Sequence, residues 1–195
     1  MLSWPALPAA TLKNTGTVST EFLVRGLADY RSAGAYLQRL PYGRNIDRAN
    51  ARLVLSEGRG TCSTKHALLA ELAYEQQLPL ALTLGIYAMD ERNTPGVGRV
   101  LDLYGLPFIP EAHCYLTYQG ERIDITRSGV EPAEPITQFL AEETIAPEQI
   151  GDYKVQWHQR FLREWVVRAA GVGRRSFEEI WAIREACIAA LNQNV

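Results

Sequence analysis

The stretch GRGTCSTKHALLAELAYEQQLP, residues 58 to 79, decides the fold of this chain. Gly58 and Gly60 interrupt any preceding helix, and Thr61 is of a residue type that favours the cap of a new one. Apolar residues then recur at helical spacing until the Leu-Pro step that closes the stretch. The pattern predicts a buried helix whose first turn contains Cys62.

A cysteine in the first turn of a helix lies where a thiol ionises most easily. Unpaired backbone N–H groups and the helix dipole favour the thiolate of Cys62, and the same N–H groups are placed to hold an oxyanion. The glycines before Cys62 leave room for a substrate to approach the backbone. Because a single buried cysteine is more often a core residue than a nucleophile, a second observation is needed.

That second observation is the stretch AHCYLTYQGERIDIT, residues 112 to 126, which predicts a β-hairpin. Its centre at Gln119-Gly120 is turn-like and is flanked by alternating apolar and polar residues. With these two residues as the loop, Leu116 pairs with Ile123 and Tyr115 pairs with Asp124. A slip of one residue would move the isoleucines into water, so the apolar pattern fixes this register.

The predicted register gives the hairpin one apolar face and one reactive face. His113 and Asp124 become diagonal neighbours on the second face, within reach of each other's side chains. A thiol at a helix start, a histidine and a carboxylate are the parts of a Cys–His–Asp nucleophile system. The apolar face holds Cys114, Leu116, Ile123 and Ile125.

The order and spacing of three segments, residues 58 to 79, LALTLGIYAM and HCYLTYQGERIDIT, resemble the transglutaminase-like superfamily of papain-like cysteine enzymes. The resemblance covers residues 40 to 127, about half of the chain. It implies that Cys62 is the nucleophile, His113 the general base and acid, and Asp124 the orienting carboxylate. The aromatic residue that often adjoins the family's cysteine is missing, since Thr61 and Ser63 flank it here.

The predicted fold class is α+β, with a papain-like, transglutaminase-like core in which the Cys62 helix packs on a small antiparallel sheet and extra helices lie at the N- and C-termini. We expect a single domain over residues 1–195, with its core at about 40–127 and a C-terminal helical extension at about 135–195. The apolar spacing predicts one helix over residues 19–40 and a short helix at ITQFL (136–140). It predicts two further helices over residues 157–170 and 176–191.

Composition argues against several classes of protein. The net charge of −2 and pI near 6.0 give no basic footprint for nucleic acid. Three cysteines without regular spacing do not form a disulfide scaffold. The N-terminal residues are a poor signal peptide, and no run approaches the ~20 apolar residues of a membrane span. We therefore expect no nucleic-acid partner, no membrane partner and a cytoplasmic location.

Substrate contacts are less clearly indicated. Tyr115, Tyr104 and Asn45 are the candidates for binding substrate, while Asn45, Asn50 and Tyr42 are the candidates for an oxyanion-hole side chain. Residues 90–111 are rich in proline and glycine yet carry many apolar side chains. They either pack as a lid on the core or wall the cleft over Cys62 and select the acyl group.

One alternative chemistry involves His66. Cys62 and His66 are spaced i, i+4 and so share a helix face, and with His113 they could form a zinc site. A further sequence-paired ligand is lacking, because Cys114 points away from His113 in the hairpin. We expect neither a metal nor any other cofactor.

The function predicted is cysteine-dependent acyl chemistry at an amide bond of a peptide, a protein or a small amide. Cys62 attacks the carbonyl carbon, His113 transfers the proton, and Asp124 holds the imidazole. Hydrolysis is favoured over acyl transfer because water needs no second pocket. The alternative from a different class is a catalytically silent domain that binds a peptide or a partner protein through the same cleft.

Overall fold

The computed structural model describes residues 1–126, 134–168 and 175–191. These residues form an α+β fold with a small four-stranded antiparallel sheet, as the sequence predicts. No helix in these three ranges has both the length and the apolar character needed to cross a membrane.

The helices are α1 (Thr17–Val24), α2 (Tyr30–Arg39), α3 (Leu53–Glu57), α4 (Cys62–Glu75), α5 (Gly98–Leu103), α6 (Asp152–Arg168) and α7 (Phe177–Leu191). The strands are β1 (Ala81–Met89), β2 (Ile109–Tyr118), β3 (Glu121–Ile123) and β4 (Ala141–Ile145). Short 3-10 turns lie at Trp4–Ala6 and Pro147–Ile150.

The strands are ordered β3-β2-β1-β4, and the hairpin of β2 and β3 largely has the predicted register. Leu116 lies opposite Ile123, as expected from the apolar alternation. The observed ladder ends with Leu116 and Ile123, so it stops one residue before the predicted pair of Tyr115 and Asp124. The backbone N–H of Asp124 points to the outer edge of β3, where it donates to the carbonyl of Leu2 in the N-terminal segment at 2.8 Å.

The helix predicted over residues 19–40 is two helices. Gly26 adopts a left-handed φ of 78°, which ends the first helical run, and Asp29 then caps α2 by accepting from the N–H of Ser32 at 2.8 Å. The C-terminal helices are present, although α6 begins at Asp152, earlier than predicted. Residues 169 and 170 of that prediction lie outside the described residues.

The helix predicted at residues 136–140 is wrong, because this segment leads into β4, a strand that the sequence pattern did not reveal. The ring of Phe139 packs on the sheet at Gly85, where a Cβ added to the glycine would lie 2.4 Å from Phe139 Cδ1. Leu140 then donates its N–H to the carbonyl of Ile86 at 2.7 Å and begins the pairing with β1. Tertiary packing on the sheet therefore overrides the local helical pattern.

Apolar side chains form two separate clusters. The central cluster joins α1, α2 and α4 to one face of the sheet, and the C-terminal cluster joins α5, α6 and α7 to the far end of β1 and β2. The apolar face predicted for the hairpin lies in the central cluster, with Cys114, Leu116, Ile123 and Ile125 all buried. The C-terminal cluster includes Met89, Val97, Leu101, Ile109, Leu162, Ile180 and Cys187.

Candidate active site

Cys62 is held in place by a tight turn between α3 and α4. Gly58 ends α3 in the left-handed region with φ 64°, and a Cβ at Gly60 would lie 2.9 Å from the nearest side chain. Thr61 then caps α4: its N–H donates to Thr64 Oγ1 at 3.0 Å, and its hydroxyl accepts from the Thr64 N–H. Cys62 is therefore the first residue of the helix, as predicted.

Asn45 belongs to this turn. Its Oδ1 accepts from the Thr64 hydroxyl at 2.8 Å, and its Nδ2 donates to the Arg59 carbonyl at 3.0 Å and to Glu57 Oε2 at 3.1 Å. These bonds tie the cap of α4 to the segment that precedes α3. The side chain proposed as a substrate contact thus supports the position of the cysteine.

His113 and Asp124 meet as the sequence predicts. The ring N–H at His113 Nε2 donates to Asp124 Oδ2 at 2.9 Å. The other carboxylate oxygen accepts from the N–H of Thr126 at 2.8 Å and from its hydroxyl at 2.5 Å. Burial alone would raise the pKa of Asp124, but His113, His66 and Thr126 hold that pKa well below its usual range.

The Cys62 thiol is surrounded by groups that favour its ionised form. Burial alone would raise the pKa of Cys62, but the charges of Lys154 and His113, with hydrogen bonds from the His113 ring and the Cys114 backbone, lower it to about 6. Burial likewise opposes the charged form of His113, yet Asp124 and Cys62 raise its pKa well above the ordinary value. At neutral pH these pKa shifts favour a Cys62 thiolate, a His113 imidazolium and an Asp124 carboxylate.

Lys154 on α6 is a member of this site that the sequence interpretation missed. Its Nζ donates to Ser63 Oγ at 2.6 Å and lies 4.0 Å from Cys62 Sγ. A signal was present in the sequence, since Lys154 precedes Trp157 and His158 by three and four residues and so shares their buried helix face. The predicted helix began only at Trp157, which left Lys154 outside it.

His66 is a neutral residue beside the thiol and has a structural role. Its Nδ1–H donates to the Cys62 carbonyl at 2.7 Å, and its Nε2 accepts from the Ile125 N–H at 2.8 Å. The backbone partners fix this tautomer, and burial lowers the pKa of His66 to about 4. Because both ring nitrogens are engaged, the arrangement does not favour the metal set of Cys62, His66 and His113. In the described part of the chain, no group of three or more His, Cys, Asp or Glu side chains is arranged to hold a metal ion.

The predicted catalytic residues line one pocket of about 870 Å³. This volume lies within the range of roughly 300–1,000 Å³ that is typical of ligand sites in proteins. Tyr42, a candidate for the oxyanion hole, also lines the pocket. Other residues that line the pocket are the apolar Met89, Ile136, Ile188 and Leu191 and the polar Glu91, Asn93 and Thr94.

None of the three candidate substrate contacts, all of them within the described residues, lines this pocket. Asn45 supports the turn before α4, as described above. Tyr115 is fully buried, its hydroxyl donates a hydrogen bond to Glu142, and its ring stacks with that of His113 at 6.3 Å between centroids. Tyr115 therefore packs behind the catalytic histidine candidate. Tyr104 follows α5 and is 39% exposed.

Residues 90–111 divide into two parts. Glu91 and residues 93–96 line the pocket, and the Glu91 carboxylate holds this turn by accepting the N–H groups of Gly96 at 2.9 Å and Gly98 at 2.5 Å. Beyond it, Leu101 and Leu106 are buried in the C-terminal cluster. The first part is placed to contact a ligand, and the second part packs until Glu111, which again lines the pocket.

No protein-family model, curated protein or solved structure matches this chain. The resemblance to the transglutaminase-like superfamily therefore remains a prediction, and the function has to be inferred from the contacts of Cys62, His113, Asp124 and Lys154.

Proposed function

We propose that this protein is a cysteine-dependent enzyme that acts on amide bonds, with a peptide or another amide as substrate and hydrolysis as the main outcome. The observation that carries the proposal is the hydrogen bond between Asp124 and His113 in the same 870 Å³ pocket that the Cys62 thiol lines. A histidine in the same pocket as a thiol and hydrogen-bonded to a half-buried carboxylate is the arrangement that nucleophilic acyl transfer requires.

Acylation begins from the thiolate. The sulfur of Cys62 attacks the carbonyl carbon, a C–S bond forms, and the carbonyl π electrons move to the oxygen. As the tetrahedral intermediate collapses, the C–N bond breaks and the His113 imidazolium gives its proton to the leaving amine. His113 is then neutral and remains oriented by Asp124, and Cys62 carries a thioester.

The start of α4 supplies donors for the oxyanion. The N–H of Lys65 bonds to the carbonyl of Thr61, so the N–H groups of Cys62 and Ser63 come before the first hydrogen bond of the helix. Both belong to the turn that carries the nucleophile. Oriented backbone N–H groups of this kind stabilise the negative oxygen of a tetrahedral intermediate.

Deacylation reverses the roles. Neutral His113 takes a proton from water as the water oxygen attacks the thioester carbon, the C–S bond breaks, and a carboxylic acid and the Cys62 thiolate result. An amine in place of water gives acyl transfer through the same steps. Hydrolysis is the simpler outcome because the solvent itself is the acceptor.

The finer fold assignment belongs to the same proposal. A nucleophile at the start of the central helix α4, a histidine on β2 and an aspartate directly after β3 follow the order implied by the papain-like, transglutaminase-like resemblance. The antiparallel sheet and the burial of α4 support it. The match in order and position is the basis for this assignment.

The test uses p-nitrophenyl acetate and a library of N-acetylated peptides with the full chain. We expect mass spectrometry to find one acetyl group on Cys62. We also expect new peptide N-termini in the library, which are absent with Cys62→Ala and still formed by Cys187→Ala. Added hydroxylamine, which would yield hydroxamates, separates acyl transfer from hydrolysis. Peptide binding by both the wild type and Cys62→Ala, without any acyl-enzyme, would replace the proposal with the silent binding domain. Absence of both acylation and peptide binding would reject either function.

A further inference from the structure

We infer that Lys154 is a second catalytic cation of this site, which holds the Cys62 thiolate independently of His113 through its own contact with the sulfur and through the Ser63 hydroxyl. The inference rests on the proposed function and adds a residue to it. Lys154 comes from α6 and His113 from β2, so the two positive groups reach the sulfur from different elements.

The contacts form a small triangle of atoms. Lys154 Nζ lies 2.6 Å from Ser63 Oγ and 4.0 Å from Cys62 Sγ, and Ser63 Oγ lies 3.9 Å from the same sulfur. An ammonium group can only donate, so the Ser63 oxygen accepts from Lys154. The hydroxyl hydrogen of Ser63 is then left to donate to a neighbour such as the sulfur.

Lys154 acts here as a cation and not as a base toward Ser63. Burial opposes its charge, but the anionic groups around it outweigh burial and raise the pKa of Lys154 above its ordinary value. A lysine that stays protonated cannot take the Ser63 proton, which argues against a Ser–Lys nucleophile pair. The titratable groups that face Lys154 are Cys62 on α4, Glu111 and Cys114 on β2, Arg184 on α7 and His158 on its own helix.

The nearby carboxylate does not compete for Lys154 through a hydrogen bond. Glu111 is buried and receives two bonds from Arg184, from Nε to Oε2 at 2.6 Å and from Nη2 to Oε1 at 2.5 Å. Both carboxylate oxygens are thus committed to one guanidinium. Lys154 is left with Ser63 and the sulfur as its closest polar contacts.

The chemistry explains why a second cation is useful. His113 must surrender its proton to the leaving amine, so it is uncharged when the thioester forms. Lys154 transfers no proton at any step and remains positive. When the C–S bond breaks during deacylation, Lys154 therefore stabilises the departing thiolate while His113 handles the proton of water.

The experiment measures the rate of Cys62 alkylation by iodoacetamide against pH in the full chain. We expect a half-maximal rate near pH 6 for the wild type, and Lys154→Met should raise this midpoint by about 1–3 pH units because an opposite charge at close range is lost. Lys154→Arg should restore most of the wild-type profile. Arg160→Met, which removes an exposed positive charge from the same helix, should leave the midpoint unchanged.

Ser63→Ala provides a second readout if Lys154→Met does not fold, as judged by circular dichroism. It should raise the midpoint by less than Lys154→Met does, because the direct contact between Lys154 and the sulfur remains. Wild-type midpoints in whichever of Lys154→Met and Ser63→Ala fold would overturn the inference. Alkylation requires no turnover, so a midpoint that moves in a protein without an acyl-enzyme would reject the proposed function while keeping the role of Lys154.

Discussion

The hairpin region and the C-terminal helices both reach Cys62, but they do so in different ways. His113 and Asp124 lie 11 residues apart in sequence and meet through the register of one hairpin. Lys154 lies 92 residues from Cys62 and reaches it only because α6 packs against β2 and follows the 3-10 turn Pro147–Ile150, which packs against α4. Short-range pattern thus specifies one half of the site, and the packing of distant helices specifies the other.

The same two regions each contain a largely buried ion pair, and the pairs differ in whether a polar atom remains available to another group. His113 uses one ring nitrogen for Asp124 and keeps the other for the thiol. Arg184 donates a hydrogen bond to each oxygen of Glu111, so both oxygens of that carboxylate already have a partner. We therefore expect the first pair to control reactivity and the second to control stability.

The largest effect on activity is expected for His113→Ala, which removes the histidine of the hairpin region. Loss of the group that gives its proton to the leaving amine should lower the rate of peptide hydrolysis by about 100- to 10,000-fold, as general acid–base catalysis contributes in enzymes. The matched control is His158→Gln, because glutamine can still donate to the Pro110 carbonyl that His158 contacts at 2.9 Å. A rate for His113→Ala within tenfold of the wild type would contradict the proposed role.

Arg184→Met tests the other ion pair. It leaves the buried Glu111 carboxylate without its partner, so the free energy of unfolding should fall by about 3–5 kcal/mol in urea titrations. The midpoint of Cys62 alkylation should remain near pH 6, since Lys154 and His113 are still present. An unchanged stability, or a midpoint that rises as far as in Lys154→Met, would show that the two pairs do not divide the tasks in this way.

His66→Gln sharpens the comparison within the hairpin region. Glutamine can donate to the Cys62 carbonyl and accept from the Ile125 N–H, but it does not titrate. The pKa of His66 is depressed from 6.5 to about 4 in the folded chain, so its contribution to stability is complete above pH 6.5 and is lost as pH falls through 4.

We expect the wild type to lose roughly 3 kcal/mol over that interval, at about 1.36 kcal/mol for each pH unit of the shift, and His66→Gln to lose much less. The measurement is the free energy of unfolding in urea at pH 4, 5, 6 and 7. Parallel curves for the two proteins would mean that His66 is not buried in its neutral form.

The smallest effect is expected for Gly85→Ala, which tests the support behind His113. A new Cβ within 2.4 Å of the Phe139 ring forces that ring to move, so the unfolding free energy should fall by about 1–3 kcal/mol. Phe139 packs on Tyr115, which stacks with His113. Gly43→Ala is the control, because its nearest neighbour is the flexible side chain of Arg59 at 3.1 Å. Equal thermal stability of both variants would show that Phe139 adapts without cost.

Local pattern alone accounted for much of the site. The glycine-containing turn and the apolar spacing after it placed Cys62 at the start of α4, and the apolar alternation placed His113 beside Asp124. Both predictions depend on short-range physics: a helix start needs a cap and a period, and a hairpin register follows from which face must be buried. The observed ladder stops at Leu116 and Ile123, one residue before the predicted pair of Tyr115 and Asp124, and the N-terminal segment pairs with the outer edge of β3, which the hairpin pattern does not predict.

The sequence by itself therefore determined the α+β class of this protein and the meeting of Cys62, His113 and Asp124 at one candidate site. Only the tertiary structure decided the placement of Lys154 against Cys62, the tautomer of His66, the strand β4 and the positions of Tyr115 and Asn45 outside the pocket. The reason is physical: helical and strand periods show which face of an element is buried but not which element covers it. That choice is made when apolar surfaces far apart in the chain pack together, and here it brought a lysine of α6 to the thiol.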